Sequence, residues 1–178
     1  MADPRLVELL DELPRERFEG PTCRHIGPGA HPLNTAGAQV QGGRWNPPES
    51  FPVLYLALSD ETAAAEFYRR AEGENRAPED LLPRRLQRYE LKLEAVLDLT
   101  DPEVRDHIGV SEEDIRSEDR RPCQAIGDAA HYVGFEAIRA PSATGTGEVL
   151  AVFFDRLKAE SDVEPVDHED WTELPPHP

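Results

Sequence analysis

The stretch FPVLYLAL, residues 51 to 58, constrains this chain more than any other. An apolar run of strand length without polar alternation is a strand covered on both faces. Before it stands the turn GGRWNPP, with Arg44 and Trp45 directly after Gly42 and Gly43. After it Ser59, a favourable N-cap, and the acids Asp60 and Glu61, suited to the positive end of a helix dipole, open DETAAAEFYRRAE. The residues that follow are strong helix formers, so a turn, a buried strand and a helix succeed one another without slack. Ala64, Phe67, Tyr68 and Ala71 fall at i, i+3, i+4 and i+7 and define the buried stripe of that helix, which leaves Glu66 at its border, able to face a cleft.

The remaining elements follow from periodicity. Residues 4–18 read as an amphipathic helix with Leu6, Leu9, Leu10 and Leu13 on one stripe, interrupted at Pro14, and residues 22–26 as a short strand. The glycines and prolines of GPGAHPLNTAGAQVQGG exclude regular structure there. Residues 85–99 alternate as a long strand with one wet face, Pro102 opens a short helix, SEEDIRSEDR is a solvated connection or helical turn, and Cys123, Ile126, Gly127 and Ala130 mark a helix over 121–133. FEAIRA and EVLAVFF are two further strands joined by the turn PSATGTG. From Lys158 on the chain is acidic and proline-rich, which predicts a loosely attached or disordered tail. Strands and helices mix without regular βαβ alternation, so the fold class expected is α+β, a single domain with a mixed or mostly antiparallel sheet and flanking helices.

Composition removes several functions. A chain of 178 residues suits one domain, and a net charge of −17, from 36 acidic and 19 basic residues, argues against direct nucleic-acid binding and favours a basic protein partner. No stretch approaches the roughly twenty apolar residues of a membrane span, and MADPRLVELLDELPRERF is too acidic for a signal peptide, so a cytoplasmic location with no membrane contact is expected. Cys23 and Cys123 stand a hundred residues apart and read as buried free thiols; the six histidines are scattered, with no metal-ligand spacing, so no metal is expected. Neither GxGxxG nor GxxxxGK[ST] is present.

The charge map points to a site. Between Gly20 and Leu58 the chain holds Arg24, Arg44 and a single acid, Glu49. An arginine on a glycine turn in an otherwise acidic chain invites an anionic small molecule, because the guanidinium can fork onto a phosphate while backbone amides come close. Taken alone, Arg44 reads first as the partner of a surface carboxylate, Glu66 as a solvated helix residue, Tyr55 as a core aromatic and Ser142 as a turn serine. Ser142 lacks the GxSxG setting of a nucleophile.

The order and spacing of GGRWNPP, FPVLYLALSDETAAAEF and GFEAIRAPSATGTGEVLAVFFDRL resemble the RES domain, over about residues 22–157. The resemblance divides the chain into an N-terminal helical segment (1–20), a RES-like catalytic domain (21–157) and an acidic, proline-rich tail (158–178). It implies an ADP-ribosyltransferase-like fold and an NAD⁺-degrading toxin of a bacterial toxin-antitoxin pair, cleaving the nicotinamide-ribose bond as a phosphorylase or glycohydrolase. Glu66, Arg44 and Tyr55 are then the catalytic residues, and Arg24, Arg44, Tyr55 and Ser142 bind NAD⁺ or phosphate. No cofactor is implied beyond NAD⁺ as substrate and inorganic phosphate as co-substrate. The implied partner is an Xre-type helix-turn-helix antitoxin, in a complex that admits a homodimer. A toxin that ADP-ribosylates protein, and a non-catalytic acidic binding module, are the alternatives.

Overall fold

The computed structural model describes residues 1–178. The apolar run forms β2 (Val53–Ala57), and its two faces enter different cores: Val53 packs with Trp45, Phe51 and Phe153, while Leu54 and Leu56 pack with Leu91, Leu93 and Leu150. Side chains alternate along a strand, so a run without polar residues needs two apolar partners.

Five strands close into a barrel. β1 (Glu16–Ile26) pairs with β2, β2 with β5 (Glu148–Phe153), β5 with β4 (Ala137–Pro141), β4 with β3 (Arg84–Asp98), and β3 returns to β1. A sixth strand, β6 (Asp162–Trp171), runs antiparallel along β3 with Leu91 opposite Val163. The β3–β4 pairing, Leu97 opposite Ile138, is parallel, and the other five are antiparallel. The parallel pair needs a long crossover. It is supplied by α4 (Pro102–Ile108), α5 (Glu112–Arg116) and α6 (Arg121–Tyr132). With α1 (Pro4–Asp11) these helices cover one face of the sheet through Leu10, Ile108, Ile115 and Ile126. The helix after β2, α3 (Asp60–Gly73), is capped by the Ser59 hydroxyl, which accepts the Thr62 N–H at 3.1 Å, and buries Ala64, Phe67 and Ala71 against Cys23 and Trp171. Such a cap contributes about 1 kcal/mol.

Three expectations are corrected. The N-terminal helix stops at Asp11, because Pro14 cannot continue it, and residues 16–20 extend β1 rather than a helical segment. A short helix, α2 (Ala36–Gln41), forms inside the loop expected to be irregular; AGAQVQ contains no proline and one glycine. The acidic tail is folded as far as β6: Val163 and Trp171 are buried, and backbone pairing with β3 holds the charged residues between them.

The turn between α6 and β4 places Glu136, fully buried, against three backbone donors: Glu94 N–H at 2.6 Å, Ala95 N–H at 2.8 Å and Lys158 N–H at 2.6 Å. Burial works against its ionisation, but these donors, with the Ser161 hydroxyl beside them, outweigh that and hold the carboxyl below the usual carboxylate range. The stabilisation is therefore full above the ordinary carboxylate pKa and is lost as pH falls through the depressed value. Urea unfolding near neutral pH is expected to show Glu136→Gln less stable than wild type by about 2 kcal/mol, with the gap narrowing at a pH well below the ordinary carboxylate range. An equal gap at both pH values would contradict this assignment.

Candidate active site

Arg44 sits in a loop fastened on both sides. Gly42 takes a left-handed φ of 74°, and the Gly43 carbonyl accepts a hydrogen bond from Gln124 Nε2 of α6 at 2.9 Å. Trp45, 1 % exposed, is pressed into the helical core, and a methyl added at Gly127 would overlap its carbonyl. From β2 the Tyr55 hydroxyl accepts the Trp45 N–H at 2.9 Å and donates to Asn46 Oδ1 at 2.7 Å, while Asn46 Nδ2 donates to the Ala38 carbonyl at 2.8 Å. The Arg44 guanidinium is then directed by one bond, Nη1 to the Ser117 carbonyl at 2.8 Å.

Glu66 faces the same space from α3. Its Oε1 accepts the hydroxyl of Ser142 at 2.9 Å, and Ser142 is fully buried at the end of β4. That hydroxyl also accepts the Thr144 N–H at 3.2 Å and lies 2.7 Å from Thr144 Oγ1. With the Ser142 proton on Glu66, the Thr144 hydroxyl is the donor of that contact, and the carboxylate is held at one oxygen while the other makes no protein hydrogen bond.

A cavity of 510 Å³ opens between these groups, and Arg24, Arg44, Tyr55 and Glu66 line it. Ser142 does not line it; it reaches the site through Glu66. Four further arginines do line it: Arg69 and Arg70 on α3, Arg84 at the start of β3, and Arg120 before α6. Sequence reasoning missed all four. Arg69 stands one helical turn beyond Glu66 and was open to recognition by that spacing, whereas Arg84 and Arg120 lie in charged segments that only the tertiary fold brings here.

The wall thus carries six guanidinium groups and one carboxylate. Arg69 is paired with Glu118 and Arg70 with Glu74, but Arg24, Arg44, Arg84 and Arg120 have no carboxylate within 4.0 Å. Burial, reinforced by Arg70 and Arg24, lowers the Arg84 pKa to about 10. Burial and the cations Arg84, Arg70 and Arg24 push His25 down to about 3, so it is neutral and accepts from Arg84 at Nδ1, 3.1 Å away. Cys23, also in the wall, is raised to about 12, first by burial and then by Asp60, and remains a thiol without nucleophilic character at neutral pH. The arrangement can hold a polyanion and can set one oriented carboxylate against a centre that becomes positive.

The close approach of α6 to the arginine loop gives a direct test. Gly127→Ala is expected to cost about 3 kcal/mol in urea unfolding, whereas Gly29→Ala, where an added methyl meets open space, should stay within about 0.5 kcal/mol. Equal stabilities of the two variants would contradict the packing described.

Comparison with known proteins places this geometry. The RES domain matches residues 21–172 of the chain. NAD(+) phosphorylase MbcT of Mycobacterium tuberculosis is 34% identical over 158 residues, covering 88% of this chain and 85% of that protein. The same species' "Probable NAD(+) phosphorylase Rv3189" is 35% identical over 155 residues, covering 86% of this chain and 73% of that protein. The crystal structure of the M. tuberculosis MbcT-MbcA toxin-antitoxin complex superposes with a TM-score of 0.86 at 31% identity, covering 96% of this chain and 93% of that one. The family match takes in β1 from Pro21, the other strands of the barrel and every residue of the cleft described above: the chain belongs to the RES domain family.

Proposed function

We propose that this protein is an NAD⁺ phosphorylase and acts as the toxin of a toxin-antitoxin pair. The observation that carries the reading is the cleft itself, with Glu66 as its one carboxylate, oriented by Ser142, among six arginines. The activity borne by the names of the MbcT relatives supports it.

The chemistry suits these groups. The bond from C1″ of the ribose to the nicotinamide nitrogen breaks with its electron pair going to the ring, which leaves neutral. No general acid is needed, and a second carboxylate is dispensable. Glu66 would hold a ribose hydroxyl with its unpaired oxygen and stabilise the positive charge that develops at C1″. Arginines would grip the diphosphate. Tyr55, whose proton goes to Asn46, would act through the loop it anchors, and Ser142 through the orientation of Glu66. Inorganic phosphate serves as acceptor, and no further cofactor enters.

The rest of the reading extends the resemblance: an ADP-ribosyltransferase-like barrel, a cytoplasmic location, and an antitoxin partner of the Xre helix-turn-helix type, in an assembly that accommodates a homodimer. A toxin-antitoxin complex as structural relative supports the partner, and a net charge of −17 suits a basic one. No helix is long and apolar enough to cross a membrane.

Purified protein given NAD⁺ and inorganic phosphate is expected to release nicotinamide and form ADP-ribose phosphate, read by chromatography and mass. Glu66→Gln should lower turnover by about 10²- to 10³-fold, and Ser142→Ala by about tenfold with little change in the KM for NAD⁺. Absence of nicotinamide release from folded protein, or release that leaves free ADP-ribose as the product with phosphate present, would overturn the reading.

A further inference from the structure

Arg70 is neutralised by Glu74, and the other five cleft arginines fall into two groups that do not share partners. One lies on the paired strands β1 and β3, where Ile26 is opposite Arg85: Arg24 donates to the Asn34 carbonyl at 3.1 Å, and Arg84 donates through Nη2 to His25 Nδ1 at 3.1 Å and the His25 carbonyl at 3.3 Å. The other converges on residues 117–120: Arg44 reaches the Ser117 carbonyl, Arg69 reaches Glu118 at 3.1 Å, and the Arg120 side chain follows with no protein hydrogen bond or ion pair. The mutual repulsions divide the same way once Arg70 is counted with the first group: Arg84 feels Arg70 and then Arg24, Arg24 feels Arg70, and Arg44 feels Arg69 and Arg120.

The second group adjoins the reacting centre. Arg69 is one turn beyond Glu66 and donates to the Ala143 carbonyl at 2.6 Å, next to the serine that holds Glu66. The diphosphate of a dinucleotide is separated from C1″ by O5″, C5″ and the ribose ring, so a phosphate poised to attack C1″ occupies a position distinct from the diphosphate. We infer that the cleft contains two anion subsites: Arg24 and Arg84 take the diphosphate of the dinucleotide, and Arg44, Arg69 and Arg120 form a separate seat for the inorganic phosphate acceptor. This rests on the phosphorolytic reading above.

In the seated complex an oxygen of hydrogen phosphate bonds to C1″ as the bond to the nicotinamide nitrogen breaks. The electron pair of that bond neutralises the pyridinium. The phosphate keeps its proton in the immediate product and gives it to solvent afterwards, so charge and atoms balance. Three guanidiniums hold the dianion beside Glu66, whose carboxylate would otherwise repel it.

Equilibrium titration separates this from the activity itself. ADP, which carries a diphosphate and lacks the reacting ribose, probes the first subsite, and inorganic phosphate added to ADP-saturated protein probes the second. Wild type is expected to bind both together. Arg120→Gln and Arg69→Gln should weaken phosphate about tenfold with ADP within about twofold, and Arg84→Gln and Arg24→Gln should do the reverse. Unchanged melting temperatures identify the variants to be compared, and either variant suffices for its subsite. Competition between ADP and phosphate, absence of phosphate binding to the ADP complex, or equal weakening of both probes by one group's variants would overturn the proposal, whereas the proposed function is decided by the products formed from NAD⁺ and phosphate.

Discussion

The backbone of Trp45 lies directly against Gly127 of α6, and the site depends on that contact. It fixes the arginine loop to the helical core from one side, while the Tyr55 hydroxyl of β2 fixes it to the barrel from the other. A guanidinium on a mobile loop would lose conformational freedom on meeting an anion; here the main chain on both sides of Arg44 is already fixed. The same economy appears at Glu66, where a buried serine at the end of β4 orients a carboxylate carried by α3. Two separate crossings of the fold, loop to helix and strand to helix, thus meet in one cavity.

Electrostatics set what that cavity can accept. Removing guanidiniums from water and placing them near one another is unfavourable, and burial is the first cause of the lowered proton affinity of Arg24, Arg44 and Arg84. The 36 acidic residues do not relieve this, since four of the six cleft arginines have no carboxylate partner and exposed charges beyond about 10 Å are screened by salt. A neutral His25 avoids a further cation. The folded protein therefore carries local strain that an anionic ligand relieves, which couples binding to stability.

The centre of the fold was legible in the chain because its signals are local. The apolar run marked β2, the Ser59 cap marked the start of α3, and the helical stripe left Glu66 at a cleft edge. β6 was not legible: only Val163 and Trp171 are buried in a strand of charged residues, and what holds it is backbone pairing with β3, which leaves no hydrophobic period. The first half of β1 was hidden likewise, since ERFEG has a single aromatic and its pairing with β3 is non-local. Arg24, Arg44, Tyr55 and Glu66 were found because motif order tied them together, and Ser142 was found without its partner. Arg84 and Arg120 were missed because each sits among charges of both signs, and only barrel closure and the crossover bring them to the wall.

A structure of the Glu66→Gln protein with NAD⁺ bound tests the central claim most directly. The account predicts the dinucleotide inside the cleft, its diphosphate within hydrogen-bond distance of cleft arginines and the nicotinamide ribose against residue 66. A dinucleotide bound outside the cleft, or one whose diphosphate faces solvent, would contradict it.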